Sequence, residues 1–367
     1  MVGLAKWKLS VGAVCGALAA LLIGNAARGE EAAKEVASVR QEHGAGAPEH
    51  EDAACASVLA FTPDGKLLMC AEKGGTDNLG LALGGVVCSY EVPSLKPKRN
   101  LAFGSRLSWF AFTTDGKKIV AAEDKAIVVR DTAGEDEPQT IKFPNPATPG
   151  QVGQVQVASL AADNRTVAAG VGHDIFVWDI VADKQVARFT TPMSNVTRLI
   201  AISPDGKSVA SSSYGDAGLL WDVATGTLKK RLPTTAATPI MGALTWSAAG
   251  KLFAIADGGK MAPSAVYVWF GGSGSAKSVL PPGHEGGVTS MAFLPDGKTL
   301  VTGSMDNTVK VWDVSDATVK GTIKCANRVN AVAVSPDGKL IAVALAGDDN
   351  DKELKNLLLY NVSDVVK

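Results

Sequence analysis

Residues Gly283 to Val314 read GHEGGVTSMAFLPDGKTLVTGSMDNTVKVWDV, and this stretch decides the fold. Three runs within it, Val288 to Phe293, Thr299 to Gly303 and Thr308 to Val311, are short and mostly β-branched or apolar. That is the composition of half-buried strands. Pro295-Asp296-Gly297 joins the first two runs. Pro presets one backbone angle and Gly accepts the positive φ that many tight turns need. Ser304-Met305-Asp306-Asn307 makes the next turn, Trp312-Asp313 closes the third run, and Val319 to Lys324 supplies a fourth strand. Four such strands make one small antiparallel sheet with apolar residues on both faces. Such a sheet is stable only when like sheets stack against it.

The chain repeats this unit seven times. The turn is Pro63-Asp64-Gly65, then Thr114-Asp115-Gly116, Ala162-Asp163-Asn164 and Pro204-Asp205-Gly206. A degenerate Ala248-Ala249-Gly250 follows, then Pro295-Asp296-Gly297 and Pro336-Asp337-Gly338. Successive turns start 51, 48, 42, 44, 47 and 41 residues apart. The closing pairs keep step: Tyr90-Glu91, Arg130-Asp131, Trp178-Asp179, Trp221-Asp222, Trp269-Phe270, Trp312-Asp313 and Tyr360-Asn361. Repeats of this period predict stacked sheets, and circular closure leaves no large face open.

The sixth copy resembles the WD-repeat β-propeller family, and the resemblance covers Ala53 to Val362. It implies an all-β, seven-bladed propeller of four-stranded antiparallel blades over 53–367. The family pattern places a His before the first strand, Ser or Thr on the second, Asp in the next turn and Trp on the third, bonded across the blade. These fall at His284, Thr302, Asp306 and Trp312. Met193 stands where the fourth blade would carry His, and Cys325 where the seventh would. Few residues follow Tyr360, so closure by an N-terminal strand at Glu35 to Gln41, with Val36 and Val39 as its apolar residues, is favoured over a self-supplied strand at Val362 to Val366.

The first residues differ in kind. Lys6 and Lys8 precede an apolar stretch from Leu9 to Ile23, with small residues up to Ala27. This describes a secretory signal over 1–27, with an uncleaved membrane anchor as the alternative, and a leader over 28–52. The chain therefore looks like an exported, bacterial-type member of the family, periplasmic or extracellular.

Composition narrows function. The 367 residues carry 36 Lys plus Arg and 37 Asp plus Glu, a balance that argues against a nucleic-acid binder. Only four His are present and no Cys-x-x-Cys occurs, so metal, cofactor and dithiol chemistry are disfavoured. Alignment of the blades sets Cys70 opposite Cys88, either as a cross-strand disulfide or as two separate thiols, and leaves Cys55 and Cys325 near the seam of the last and first blades. Asp348, Asp349, Asp351 and Glu353 read as a solvated acidic loop rather than a calcium site.

Long turns at 72–85, 257–265 and 346–356 share a face with the starts of the first strands, which marks a recognition face. Arg106, Trp109, Arg198 and Arg328 are candidate anchors there. The resemblance implies a monomeric, non-catalytic scaffold for a protein or peptide partner. The alternative is a hydrolase or lactonase-like propeller acting at the central channel, which needs converging acids. The first strands instead carry Gln154, Gln156, Asn195, Thr197, Thr289 and Asn330, and so predict a polar, uncharged channel.

Overall fold

A computed structural model of the chain describes residues 33–39, 58–72, 85–133, 137–143, 153–191, 196–213, 218–233, 241–257, 264–347 and 356–366. The signal segment, Cys55, Met193, Asn195 and most of the three long turns lie outside the described residues.

Twenty-eight strands among the described residues form seven antiparallel four-stranded sheets. In the sixth, the strands are Val288–Phe293, Thr299–Ser304, Thr308–Asp313 and Thr318–Lys324. Six sheets take their strands in sequence order. The seventh places Glu35–Val39 antiparallel to Leu357–Asn361, followed by Leu340–Leu345 and Val329–Val334. The N-terminal strand thus closes the ring. A bulge between Glu35 and Ala37 shifts its faces, so Val36 turns outward while Ala37 and Val39 pack inward. Val362 to Val366 supplies no strand; Val362–Val365 is one helical turn, with Val365 buried against the sixth and seventh blades.

The turn between first and second strands shows why the repeat keeps its residues. Gly65, Gly116, Gly206, Gly250, Gly297 and Gly338 all hold φ near +70°, and Asn164 takes that place in blade 3 at +59°. The turn Asp caps the backbone: Asp64, Asp115, Asp205 and Asp337 each accept from the amide N–H two residues on. Each also accepts from a hydroxyl two residues back, on Thr62, Thr113, Ser203 or Ser335. Blades 3 and 6 have Ala161 and Leu294 at that earlier position. There a Thr five residues later, Thr166 or Thr299, donates to the same carboxylate instead.

Seven hydrophobic clusters fill the seven seams between blades. Each fully buried Val, Leu or Phe in them is worth ~1.5–3 kcal/mol. Trp178, Trp221, Trp269 and Trp312 each pack into the seam with the preceding blade. Gly283 permits this for Trp312, because a Cβ there would lie 2.5 Å from the indole. The seam of blades 1 and 2 has Arg130 at the equivalent place, its guanidinium 4.8 Å over the Phe103 ring and donating to Ala102 O.

The first strands surround the central channel. All six whose opening residues are described bulge at their second residue: Ser108, Gln156, Arg198, Gly242, Thr289 and Asn330. Two of these hydroxyls bridge to the next blade, Ser108 to Val155 O and Thr289 to Val329 O. The bulge re-aims the residues after it, which governs what the channel presents.

Candidate functional site

The sixth blade brings His284, Thr302, Asp306 and Trp312 together. His284 Nδ1 lies 2.8 Å from Asp306 Oδ2, and Nε2 lies 2.7 Å from Thr302 Oγ1. Trp312 Nε1 donates to the same Oγ1 at 2.9 Å. Asp306 also accepts from Thr308 Oγ1 and from the amides of Glu285 and Thr308. Burial lowers the affinity of His284 for a proton, against the pull of Asp306, and the net shift is downward. The neutral ring donates from Nδ1 to Asp306 and accepts at Nε2 from Thr302. Burial pushes the Asp306 carboxyl up, but the Thr308, His284 and Glu285 contacts outweigh it and hold it below its usual range.

This hydroxyl–imidazole–carboxylate order is also that of a nucleophilic relay. Thr302 is fully buried and His284 is 1% exposed, they meet where the fifth blade's outer strand runs into the sixth blade, and neither lines the channel. A nucleophile must reach its substrate, whereas this hydroxyl is fixed between a ring nitrogen and an indole. The four residues tie the end of the fifth blade's outer strand, at His284, to the second and third strands of the sixth blade and the turn between them.

Other blades hold partial or different versions. Trp221 Nε1 donates to Ser211 Oγ at 2.8 Å in blade 4. Blade 3 uses a lock that the repeat pattern does not reveal: Asp174, 2% exposed, accepts from Arg188 Nη2 and Thr190 Oγ1, both at 2.7 Å. An acid at the start of a β-branched strand, with Arg and Thr on the next, was its only sequence signal. Blade 7 carries Cys325, whose thiol is pushed up to about 12, chiefly by burial.

Cys70 and Cys88 are direct cross-strand partners, and both are buried. Arg106, Arg198 and Arg328 are all exposed at the starts of first strands, and Trp109 turns into the channel. Arg328 lies at the base of the 346–356 turn, where its carbonyl accepts from Ala346 N.

The channel differs from its predicted lining. Gln154, Gln156 and Thr197 are not part of the cavity wall, whereas Thr289 lines it as expected and bonds to backbone carbonyls. A cavity of about 510 Å³ is walled by blades 2 to 6 with polar and apolar surface in nearly equal measure, and no lining side chain ionises at neutral pH. The bulges account for the change, since they exchange the faces on which the first residues of each strand fall. A second cavity of about 790 Å³ opens beside the seam of blades 1 and 2, where the Trp of other seams is missing. Among the described residues no group of three or more His, Cys, Asp or Glu is placed to hold a metal ion. No helix among them is long and apolar enough to cross a membrane.

Comparison with known proteins agrees with this geometry. The family model "WD domain, G-beta repeat" matches residues 275–313 and 317–352. The chain is 30% identical over 200 residues to the 66 kDa stress protein of Physarum polycephalum, covering 53% of this chain and 32% of that one. It is 28% identical over 218 residues to periodic tryptophan protein 2 of Arabidopsis thaliana, covering 58% and 23%. It is 43% identical over 61 residues to the target of rapamycin complex subunit LST8 of Saccharomyces cerevisiae, covering 16% and 20%. The chain spans a third or less of the length of each of these relatives. With seven four-stranded blades, a repeat match in the sixth and seventh, and a complete His–Thr–Asp–Trp network where the fifth meets the sixth, the chain belongs to the WD40-repeat, seven-bladed β-propeller family.

Proposed function

We propose that the protein is a non-catalytic scaffold that binds a protein or peptide partner through the face bearing the turns 72–85, 257–265 and 346–356. The observation that carries this reading is the burial, where blades 5 and 6 meet, of the hydroxyl–imidazole–carboxylate set found among the described residues. Its polar chemistry serves the scaffold, while Arg198 and Arg328 stand exposed on the proposed face. One relative, LST8, is itself a subunit of a complex, a role of the same kind. The test is affinity capture with cross-linking from the native organism, comparing the full chain with a variant whose 346–356 turn is replaced by a short one. A saturable partner that the variant loses supports the reading. A partner retained by the variant moves the site elsewhere.

We further propose that this binding takes place outside the cytoplasm. Lys6, Lys8 and the apolar stretch to Ile23 support export. Export would place Cys70 and Cys88 in an oxidising compartment. Opposed partners sit ~4.5–5.5 Å apart at Cα, within the ~4.4–6.8 Å that a disulfide spans. Mass analysis of the mature N-terminus tests export. Alkylation of the native protein before and after reduction tests the pair. An intact Met1, or two thiols reactive only on unfolding without reduction, would count against these two proposals respectively.

A further inference from the structure

We propose that the central channel is a binding site for an uncharged, amphipathic small molecule that joins apolar surface to a hydroxyl or carbonyl group. The cavity is about 510 Å³, inside the roughly 300–1,000 Å³ of small-molecule sites. Its wall includes Trp109, Leu160, Leu199, Leu244, Trp246 and Met291. The polar side chains in that wall are mostly engaged with the ring itself. Ser159 Oγ accepts from Ile202 N, Ser290 Oγ accepts from Val332 N, and Thr289 Oγ1 donates to Val329 O. Thr114 Oγ1 accepts from Asn164 Nδ2, and Trp246 Nε1 donates to Ala201 O. The exposed wall is nonetheless nearly as polar as it is apolar, so a fitting ligand must offer hydrogen-bonding as well as apolar surface.

The same inventory sets the ligand's charge and polarity. With no ionised side chain in the wall, a charged ligand would lose its hydration without a counter-charge. Trp109 Nε1 and Thr245 Oγ1 are wall groups with no hydrogen-bond partner among the described residues, and they can serve one hydroxyl or carbonyl. Arg198 sits beside the cavity, exposed, rather than in its wall.

The experiment titrates the full chain with the uncharged fluorophore N-phenylnaphthylamine and follows energy transfer from tryptophan. One saturable site per chain is expected, with displacement by dodecanol and with dodecyltrimethylammonium at least about tenfold weaker as a competitor. Leu199→Gln and Leu244→Gln should each weaken binding about tenfold or more. Phe270→Ser tests the outer apolar surface of blade 5, where Phe270 and Val279 are exposed, and should leave binding unchanged. Absence of saturable binding, retention of full affinity in both Leu variants, or loss in Phe270→Ser would overturn the proposal. Should the Leu variants fail to fold, the wild-type chain decides: dodecanol at saturation should raise its melting temperature, and no rise overturns the site.

Discussion

Asp306 receives hydrogen bonds from His284, Thr308 and the Glu285 amide while its side chain is only 10% exposed. Asp306→Ala would strand the His284 Nδ1 proton and the Glu285 amide, at a cost of ~2–3 kcal/mol. Asp306→Asn keeps an acceptor and should cost less. The denaturant midpoint of each variant checks this, and equal midpoints would argue that Asp306 only fills space. His284 adds a pH dependence whose sign follows from its direction. Its folded pKa lies below the usual 6.5, so the unfolded chain binds more protons just under that value. Stability is therefore whole above about 6.5 and declines as pH falls toward the lower folded pKa, where the loss levels off. In His284→Gln this part of the slope should vanish, while the loss from protonating turn carboxylates at more acidic pH remains. Melting curves across that range distinguish the two, and parallel curves would show that His284 is not the titrating group.

At the scale of the element, the turns explain both what the sequence reveals and where it misleads. Pro-Asp-Gly states its own geometry, because Gly bears the positive φ and Asp caps the amide two residues on. Even Ala248-Ala249-Gly250 is readable as a turn, since Gly250 keeps φ at +67°. That copy lacks the acid but retains Ser247, whose hydroxyl accepts from Leu252 N. Ala249→Asp should complete the cap and stabilise the protein by ~0.5–1 kcal/mol, readable as a raised melting temperature. Gly206→Ala and Gly297→Ala should differ. Both force a side chain into positive φ, but at 206 the new Cβ would also lie 2.9 Å from Asp163 Oδ2, whereas at 297 its nearest neighbour is 4.0 Å away. Gly297→Ala should cost ~1–2 kcal/mol and Gly206→Ala more, by the same denaturation measurement. The channel was misread for an equally local reason. Counting alternate residues along a first strand assumes an unbroken pleat, and the bulges at Gln156, Arg198, Thr289 and Asn330 break it just where the count begins. Blade 3's Asp174–Arg188 lock was hidden differently: it follows no repeat, so periodicity could not point to it.

For the whole molecule, the ring depends on one short strand. Glu35–Val39 covers the edge of Leu357–Asn361, and Ala37 and Val39 reach the cluster that joins the seventh blade to the first. Deleting residues 1–40 should expose that edge, lower the melting temperature and promote self-association, read by light scattering. Val39→Asp should lower the melting temperature in the same direction with less association, since a charge on an edge discourages strand pairing. A truncated chain as stable and monodisperse as the full one would mean that the six sequential blades hold the ring unaided. The network of His284, Thr302, Asp306 and Trp312 ties the outer strand of the fifth blade to the sixth, so its loss should loosen that seam as well as the sixth blade.

The pairing of Glu35 with Tyr360 joins residues roughly 325 positions apart. Ribosomes deliver these two ends at opposite extremes of synthesis. The strand made first has no permanent neighbour until the strand made last emerges, and every intermediate length is an open arc with two uncovered edges. Contacts of such long range are formed late and slow folding. A chain handed to a translocation machinery before completion is therefore still unclosed, and needs no unfolding of a finished ring. In the cytoplasm the same arc would need protection for the full duration of translation. Pulse proteolysis of stalled nascent chains would find a sharp gain in resistance only after residue 361 has left the exit tunnel.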